Sequence, residues 1–470
     1  MLTNTGPDNP DIPDPLERLL NQQVRLVPPP GTFELIIRRA RRRKLRRAVA
    51  AVVSGVAVAA GAAVAAVNPT LLRLASPSES GQVASAGAPS PGNSTQPNGS
   101  GRLAQSPPAG SSSAGRQPYP GPVPAGFTPS SVTFISAARA WVIGQAGTPG
   151  TCYNGNICTS VAWTSDGGRT WHGQPAPVAG APSGANGVSG IRFLNGTNGW
   201  AFGPELWATH DAGNQWRAID TSGQRITDLE AAGNRAYALF ANCSGTSPAG
   251  FAADCASYTL MTTRAGNDAW APAGPATSNL AGGASASAML ALAGGTGYLL
   301  APDGTLYSGP LGGTWSKTGP APCHPSPSPR ASGLPGTGQF AAVSARHLAM
   351  ICGGPSAGGP PRVWTSADGG AHWTRRATAA WPTGTPASLA AAPDGELVLA
   401  TVNGICVLPP GAADWRTATE PGGSALPGGG FSYVGMTSDS RGAALPANTS
   451  SHEIWVTTDG GRTWTPKPIA

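Results

Sequence analysis

The acidic side chains are the first residues to consider for chemistry, because hydrolysis of a glycosidic bond needs two carboxyl groups about 5–10 Å apart. Outside a repeated motif described below, the main carboxylates are Glu205, Asp228, Glu230, Asp303, Asp394 and Glu396. None stands at a recognisable spacing from a tyrosine that could act as a nucleophile, and Asp303 and Asp394 each precede a glycine, as in hairpin turns. The sequence therefore predicts no catalytic residue, while a glycosidase assembled from residues distant in sequence stays open as an alternative.

Other reactive residue types also lack the spacing that their chemistry needs. The run 354–358 matches the G-x-S-x-G nucleophile elbow, which requires a strand-to-helix turn, but it lies in a Gly/Pro-rich stretch of a chain with 66 glycines. The six histidines form no H-E-x-x-H motif, and the seven cysteines form no C-x-x-C pair. We therefore expect no metal site and no cofactor.

A repeated S/T-x-D-x-G-x-x-W motif organises the second part of the chain. The four nearly complete copies are Thr164, Asp166, Gly168 and Trp171; Thr209, Asp211, Gly213 and Trp216; Ser366, Asp368, Gly370 and Trp373; and Thr457, Asp459, Gly461 and Trp464. Three degenerate copies end at Trp270, Trp315 and Trp415, and the tryptophans follow one another at steps of 42 to 58 residues. A repeat of about 40–50 residues has the size of one four-stranded propeller blade, so we predict an all-β, seven-bladed β-propeller.

The elements around each motif support this prediction. A short apolar run precedes every copy, and each run is predicted to be an inner strand buried on both faces. These runs are 141–143, 200–202, 237–239, 298–300, 348–350, 397–399 and 443–445. Within the motif, Asp is expected to accept backbone N–H groups, Gly to adopt a positive φ, and Trp to pack between neighbouring blades. The motif is therefore predicted to be structural rather than catalytic.

These residues resemble the Asp-box, or BNR, repeat of sialidase-like and sortilin-like propellers. The longer pattern from Ile191-Arg192-Phe193 through Gly199–Gly203 to Trp216 resembles the photosystem II assembly and stability factor subgroup, and the resemblance covers about Phe127 to Ala470. It implies a propeller whose boxes stabilise the face away from the ligand site. Sialidases of this class carry an arginine triad, a Tyr–Glu pair and an Arg-Ile-Pro sequence, and no Arg-Ile-Pro occurs here. An exo-sialidase-like hydrolase at the cell surface is therefore the alternative rather than the main prediction.

The N-terminal 125 residues differ in composition from the repeats. Eight of the ten residues at 38–47 are basic, and the next twenty, 48–67, carry no charge. A helix of twenty residues rises roughly 30 Å, so 48–67 is predicted to be a single transmembrane helix. The basic flank places the tail 1–47 in the cytoplasm and the remainder outside a bacterial cell membrane, with a cleaved secretory signal as the alternative.

Two further features complete this organisation. Residues 68–125 are rich in Ser, Pro and Gly and are predicted to form a disordered linker to the propeller at 126–470. The net charge is +7, of which the tail supplies +5 through ten basic and five acidic residues. Because the tail's basic run is expected to lie against anionic lipid, the charge predicts no nucleic-acid partner.

The cysteines favour an oxidising compartment. Cys152 with Cys158, and Cys243 with Cys255, bracket long insertions and are predicted to be disulfides. Cys323, Cys352 and Cys406 remain; Cys323–Cys352 is the preferred third bridge, and buried free thiols are the alternative.

Taken as a sequence, the chain is predicted to be a membrane-anchored, extracytoplasmic propeller. It would act as a non-catalytic binding or scaffolding module for a protein or a cell-envelope glycan. The insertions at 145–160, 241–258 and 316–336 are the candidate partner surface, with tolerated insertions as the alternative.

Overall fold

A computed structural model describes residues 121–147, 158–181, 186–244, 255–282, 287–325, 337–354, 360–378, 381–382 and 384–470. The predicted tail 1–47, the transmembrane segment 48–67 and all but the last residues of the linker 68–125 lie outside these ranges. Among the described residues, none belongs to a helix long and apolar enough to cross a bilayer.

The described residues form seven sheets, each with four antiparallel strands in sequential order, numbered 1 to 4; the third and fifth sheets each add one short strand outside this numbering. Blade 1 contains β1 (Thr128–Phe134), β2 (Ala140–Gln145), β3 (Thr159–Thr164) and β4 (His172–Gln174). Blade 2 contains β5 (Gly190–Phe193), β6 (Gly199–Phe202), β7 (Leu206–Thr209) and β8 (Arg217–Ala218). Blade 3 contains β9 (Arg225–Ala232), β10 (Arg235–Cys243), β11 (Cys255–Arg264) and β12 (Ala271–Pro272), and after a 3₁₀ turn at Pro275–Thr277, β13 (Leu280–Ala281) also pairs with β11.

The remaining four sheets repeat the pattern. Blade 4 contains β14 (Met289–Ala293), β15 (Thr296–Leu300), β16 (Thr305–Pro310) and β17 (Ser316–Pro320). Blade 5 begins with β18 (His324–Pro325), which pairs in parallel with β19 (Thr337–Ala342), and continues with β20 (Leu348–Cys352), β21 (Arg362–Ser366) and β22 (Thr374–Arg376). Blade 6 contains β23 (Pro386–Ala391), β24 (Leu397–Thr401), β25 (Gly404–Leu408) and β26 (Arg416–Thr417). Blade 7 contains β27 (Phe431–Met436), β28 (Gly442–Pro446), β29 (Glu453–Thr457) and β30 (Thr465–Pro468).

This arrangement is a seven-bladed β-propeller, as the repeat predicts. The first strands of consecutive blades contact one another and form the inner ring. The apolar runs 141–143 to 443–445 are the second strand of each blade rather than the innermost one, and they are buried on both faces. A second strand lies between hydrogen-bonded neighbours and is covered by two adjacent blades, so its residues are uniformly apolar.

The ring closes by packing between blades 7 and 1, since each of these blades has its own four strands. Ile469, Tyr433 and Ile454 from blade 7 share a core with Phe127 and Trp171 from blade 1. The His452 imidazole Nδ1 lies 2.8 Å from the Phe127 carbonyl oxygen. The described segment before β1 therefore packs against the last blade.

Two disulfides match the predicted pairs. Cys243 is bonded to Cys255, and Cys323 is bonded to Cys352. Cys406 is buried and free. Cys158 is also disulfide-bonded, but its predicted partner, Cys152, lies outside the described residues.

Candidate functional site

Each of the four complete motifs forms the same type of hydrogen-bonded turn between the third and fourth strands of its own blade. In blade 7, the Thr457 hydroxyl donates to Asp459 Oδ1 at 2.9 Å and accepts the Gly461 N–H at 2.9 Å. The Asp459 carboxylate also accepts the Thr463 N–H at 2.9 Å and the Thr463 hydroxyl at 2.8 Å. Gly461 has φ 91°, a backbone conformation in which any residue with a side chain would be strained. The equivalent contacts recur at Thr164/Asp166/Gly168, Thr209/Asp211/Gly213 and Ser366/Asp368/Gly370.

These hydrogen bonds favour the charged form of the carboxylates. Bonds from the Thr170 hydroxyl and N–H lower the pKa of Asp166. The backbone and side chain of His372 lower the pKa of Asp368. Burial raises the pKa of Asp459, but hydrogen bonds from Thr463, Thr457 and the Arg462 N–H together leave it lowered. Asp166, Asp368 and Asp459 are thus ionised anchors of their own turns.

Each motif tryptophan packs onto the preceding blade. Trp464 of blade 7 lies among Val398 and Val407 of blade 6, and its Nε1 donates to the Gly461 carbonyl at 2.8 Å. Trp315 of blade 4 lies 5.2 Å from Tyr237 of blade 3 between ring centroids. Among the degenerate copies, the Thr263 hydroxyl donates instead to the Asn267 carbonyl at 2.8 Å. The tryptophan position is therefore retained for packing where the turn itself has changed.

A buried polar cluster lies on the inner ring, at the axis of the propeller. We call Arg192, Asp228 and Glu230 the axis cluster; they are 3%, 1% and 0% exposed. The Arg192 guanidinium faces Glu230, with Nη2 3.3 Å from Oε1 and Nε 3.4 Å from both carboxylate oxygens. Its Nη1 donates to the Ile191 carbonyl at 2.9 Å and to Ser131 Oγ at 3.3 Å.

Asp228 has a different environment from Glu230, although both lie on β9 two residues apart and hence on one side of the strand. Asp228 Oδ2 accepts the Leu290 N–H from β14 at 2.8 Å, and Oδ1 has no hydrogen-bond partner among the described residues. Burial, followed by the charge of Glu230, raises the pKa of Asp228 well above its usual range. For Arg192, burial lowers the pKa, but the charges of Glu230, Tyr433 and Asp228, together with the hydrogen bond to Glu230, leave the pKa raised.

The hydrogen bond that Asp228 accepts from the Leu290 N–H is one example of a contact that recurs along the inner ring. The first strand of a blade has a free edge whose N–H groups need acceptors. The Ser131 hydroxyl accepts the Ile191 N–H at 3.2 Å, and the Ser388 hydroxyl accepts the Val434 N–H at 3.2 Å. Ser131, Asp228 and Ser388 each follow a register shift in their strand, so they occupy corresponding positions. Asp228 thus caps the edge of blade 4, as the two serines cap blades 2 and 7.

The other carboxylates considered in the sequence lie apart from the axis cluster. Glu205 accepts the Trp207 indole N–H at 3.0 Å, and Glu396 pairs with Arg462 of blade 7 at 3.3 Å. Burial raises the pKa of Glu396. Asp303 and Asp394 lie in turns between strands, as predicted, and accept backbone N–H groups at 2.8 and 3.1 Å. Glu205 and Glu230 therefore have different partners, the Trp207 indole and the Arg192 guanidinium.

Sequence reasoning named Asp228 and Glu230 separately and did not identify their partner, Arg192. Two sequence signals could have indicated this ion pair. One is a charged residue inside the short strand Gly190–Phe193, and the other is a pair of carboxylates at alternate positions of β9. Among the described residues, no group of three or more His, Cys, Asp or Glu could hold a metal ion. The G-x-S-x-G run falls outside the described residues, except for Gly354.

The topology separates two faces of the propeller. In every blade, the turn between strands 1 and 2 and the motif turn between strands 3 and 4 lie on one face, which we call the motif face. Connections between strands 2 and 3, and from one blade to the next, lie on the other face, which we call the insertion face. All three predicted insertions leave from the insertion face. Two of these insertions are shorter than predicted, because β17 and β18 occupy part of 316–336 and β10 and β11 occupy part of 241–258. The rest of these two segments lies largely outside the described residues.

Fold and site together define a seven-bladed propeller with a buried polar cluster on its inner ring. Among solved structures, it is similar to YCF48 bound to a D1 peptide, with 16% identity, a TM-score of 0.46, and coverage of 72% of this chain and 95% of that chain. It is also similar to YCF48 from Cyanidioschyzon merolae, with 15% identity, a TM-score of 0.41, and coverage of 63% of this chain and 87% of that chain. A third similar structure is the GH74 enzyme of Niastella koreensis, with 14% identity, a TM-score of 0.33, and coverage of 73% of this chain and 65% of that chain. At these identities the similarity concerns the fold alone. No family model matches the chain, and no curated protein matches it.

Proposed function

We propose that this protein is a non-catalytic binding or scaffolding module whose recognition surface is the insertion face. The observation that carries the proposal is that all three predicted insertions leave from this face, opposite the motif turns. Loops on a rigid scaffold commonly carry recognition, because the scaffold fixes their ends at little cost in entropy. The partner is a protein or a cell-envelope glycan.

The positions of the disulfides support the same face. Cys243–Cys255 closes the base of the insertion between β10 and β11. Cys323–Cys352 ties the connection before β19 to the end of β20. A crosslink at the base of a loop restricts the conformations that the loop can adopt. The disulfides thus stabilise loops on the insertion face, whereas the hydrogen-bonded turns stabilise the motif face. This difference supports a recognition role for the insertion face and a structural role for the motif face.

The axis cluster supports a binding role over a hydrolytic one. A glycosidase needs two carboxyl groups that reach the substrate from either side of the scissile bond. Asp228 and Glu230 are at most 1% exposed, and they are held by a backbone N–H and by Arg192. A packed ion pair in this position fixes the inner ring instead of presenting acid and base to a ligand.

We also propose the cellular setting. The Asp-box resemblance, the disulfides and the charge of 38–47 support an extracytoplasmic bacterial propeller, anchored by a single span at 48–67 with the N-terminus inside. Protease added to intact cells should then release the propeller and leave 38–47 protected. Protection of the propeller would reverse the orientation, and release without protease would favour a cleaved signal.

The recognition surface can be tested by blocking one face at a time. Val402 is 41% exposed in the β24–β25 turn on the insertion face, and Gln215 is exposed in a motif turn. Polyethylene glycol maleimide attached to Val402→Cys should abolish binding of the full chain to cell-envelope fractions, whereas the same label on Gln215→Cys should leave it intact. Burial raises the pKa of Cys406 to about 11, so this thiol should not react. Equal binding by both labelled proteins would contradict the proposal.

The hydrolase alternative has its own assay. The full chain should not turn over fluorogenic sialosides or a panel of other glycosides. Robust turnover that is lost in Glu205→Gln or Glu230→Gln, with folding retained, would replace the binding proposal by the hydrolase.

A further inference from the structure

A groove lies where the ring closes, and it is separate from the proposed recognition surface on the insertion face. This seam groove lies on the motif face between blades 7 and 1 and has a volume of about 510 Å³. Its walls are the β1–β2 turn and motif turn of blade 1, the β27–β28 turn, and β30. Pockets for small ligands typically measure about 300–1,000 Å³, so the groove can hold one or two sugar rings.

The seam groove is positively charged. Arg169, Arg441 and Lys467 line it, and none of the three belongs to an ion pair between described residues. The aliphatic stem of Lys467 packs on Gly168, where an added Cβ would lie 3.5 Å from Lys467 Cγ. This packing leaves the ammonium group as the free end of the side chain.

One carboxylate, Asp166, also lines the groove. Its oxygens already accept the Thr170 hydroxyl at 2.6 Å, the Thr164 hydroxyl at 2.8 Å and two backbone N–H groups. Three cations and one engaged carboxylate give the lining a net charge of +2. A ligand with one or two negative charges would neutralise it.

The remaining lining resembles a sugar site more than a simple ion site. Thr458 and Thr465 add hydroxyl groups that can exchange hydrogen bonds with ligand hydroxyls. Phe134 and Val456 add apolar surface that can contact the C–H face of a ring. This combination of hydroxyl and apolar surface, next to convergent cations, is typical of pockets that orient a small polar ligand.

Other described grooves on the motif face lack this combination. The cavity between blades 1 and 2 measures about 210 Å³, with Arg139 as its cationic side chain. The cavity between blades 5 and 6 measures about 520 Å³, but its Arg376 donates to the carbonyls of Pro409 and Ala412, and Asp394 opposes its charge. Free cations therefore accumulate at the seam and not at these two grooves.

We propose that the seam groove is a binding site for an anionic saccharide, that is, a sugar unit carrying a phosphate or carboxylate group. Arg441 and Arg169 bind the acidic group through charge-assisted hydrogen bonds, and Lys467 contributes a third positive charge. The threonine hydroxyls and the apolar floor bind the ring. The site lies on the face opposite the proposed recognition surface, so either can fail without the other.

The test is calorimetric titration of the full chain, at low ionic strength, with glucose 6-phosphate and digalacturonate. Glucose, inorganic phosphate and a hexaglutamate peptide are the comparison ligands. Both anionic sugars should give saturable binding that weakens with added salt. Arg441→Gln and Lys467→Gln should each weaken it by about 10-fold or more, whereas Arg441→Lys should retain most of it.

Arg139→Gln is the matched control. Arg139 and Arg441 end the corresponding turns of blades 1 and 7, and each donates its N–H to a serine hydroxyl, Ser136 or Ser438. Binding should be unchanged in this variant, and thermal melts of all variants should match the parent because Arg139 and Arg441 are exposed and glutamine keeps part of the Lys467 stem that packs on Gly168. Absence of saturable sugar binding, equal affinity in the Gln variants, or binding of phosphate or peptide as tight as that of the sugars would overturn the proposal.

Discussion

Carboxylates of the axis cluster and of the motif turns are the same chemical group in opposite environments. Asp459 accepts three hydrogen bonds from Thr457 and Thr463, and Asp166 accepts four from its own turn, which lowers the pKa of both. Asp228 accepts one backbone N–H from another blade, and burial raises its pKa. A turn supplies its donors locally and costs little to assemble, whereas the axis must satisfy a buried charge with residues from different blades.

This difference explains why the two regions stabilise the propeller in different ways. The motif turn fixes one hairpin and places one tryptophan against the preceding blade. The axis cluster connects β1, β5, β9 and β14 across four blades through Ser131, Arg192, Glu230 and Asp228. Damage to a motif should therefore loosen one blade, and damage to the axis should affect the whole ring.

The largest effect is expected from Glu230→Gln. The substitution leaves Arg192 buried at 3% exposure without its counter-charge, and breaking one side of a buried ion pair costs about 3–5 kcal/mol. Urea unfolding of the full chain measures the free energy of unfolding. Glu205→Gln, at a half-buried carboxylate bonded to one indole, should cost far less. Equal losses in the two variants would remove the distinction between axis and surface carboxylates.

A smaller loss is expected from Asp459→Ala in the motif of blade 7. The change strands the Thr463 N–H and the Thr457 hydroxyl, and unsatisfied groups of this kind cost about 1–3 kcal/mol. Asp439→Ala in the same blade is the matched control, because Asp439 is exposed and should shift stability by about 0.5 kcal/mol or less. A loss as large as that of Glu230→Gln would mean that motif turns also hold the ring together.

The pH dependence of stability should have opposite signs in the two regions. Because the pKa of folded Asp228 lies above its unfolded value of about 3.8, the folded state binds the proton more tightly, and stability falls as pH rises from about 4 through the folded pKa. Asp228→Asn keeps an acceptor for the Leu290 N–H and removes this loss. The variant should therefore be more stable than the parent above the folded pKa, since a tenfold difference in proton affinity corresponds to about 1.4 kcal/mol.

Asp166→Asn provides the opposite case. The pKa of folded Asp166 is lowered, so its contribution is present above the unfolded pKa and is lost as pH falls through the folded value. The variant should therefore be less stable than the parent at pH 7, and the difference should shrink as pH falls below about 4. Unfolding curves from pH 3 to pH 8 measure both variants, and slopes of the same sign would contradict the comparison.

The repeat predicts the blade number because its residues act locally: the motif Asp, Gly and Trp each have a role within one hairpin and its neighbour. The sequence does not predict the axis cluster, because Arg192 and Glu230 come from different blades and only closure of the ring brings them together. It predicts the apolar runs as inner strands buried on both faces, but burial on both faces does not distinguish a first strand from a second. The first strands carry polar residues such as Ser131 and Asp228 that cap the next blade, so they are less apolar than the second strands.

The smallest predicted effect concerns one departure within the motif turns. Ala212 of blade 2 has φ 68°, where blades 1, 5 and 7 carry Gly167, Gly369 and Gly460 at φ 77–82°. The left-handed conformation costs a residue with a Cβ about 1–2 kcal/mol. The turn keeps it because the Ala212 carbonyl accepts the Trp141 indole N–H at 3.1 Å and the Gln174 amide at 2.7 Å.

Ala212→Gly should relieve this strain. The gain is offset in part by the greater freedom of glycine in the unfolded chain, so we expect a net stabilisation of about 0.5–1 kcal/mol in urea unfolding. Gly167→Ala is the reciprocal change and should destabilise by about 1–2 kcal/mol, because it adds the same strain and places a Cβ 3.1 Å from the Ala137 carbonyl oxygen. Should Ala212→Gly lower stability instead, the alanine methyl would contribute packing that outweighs the strain, and the motif turns of blades 1 and 2 would not be equivalent.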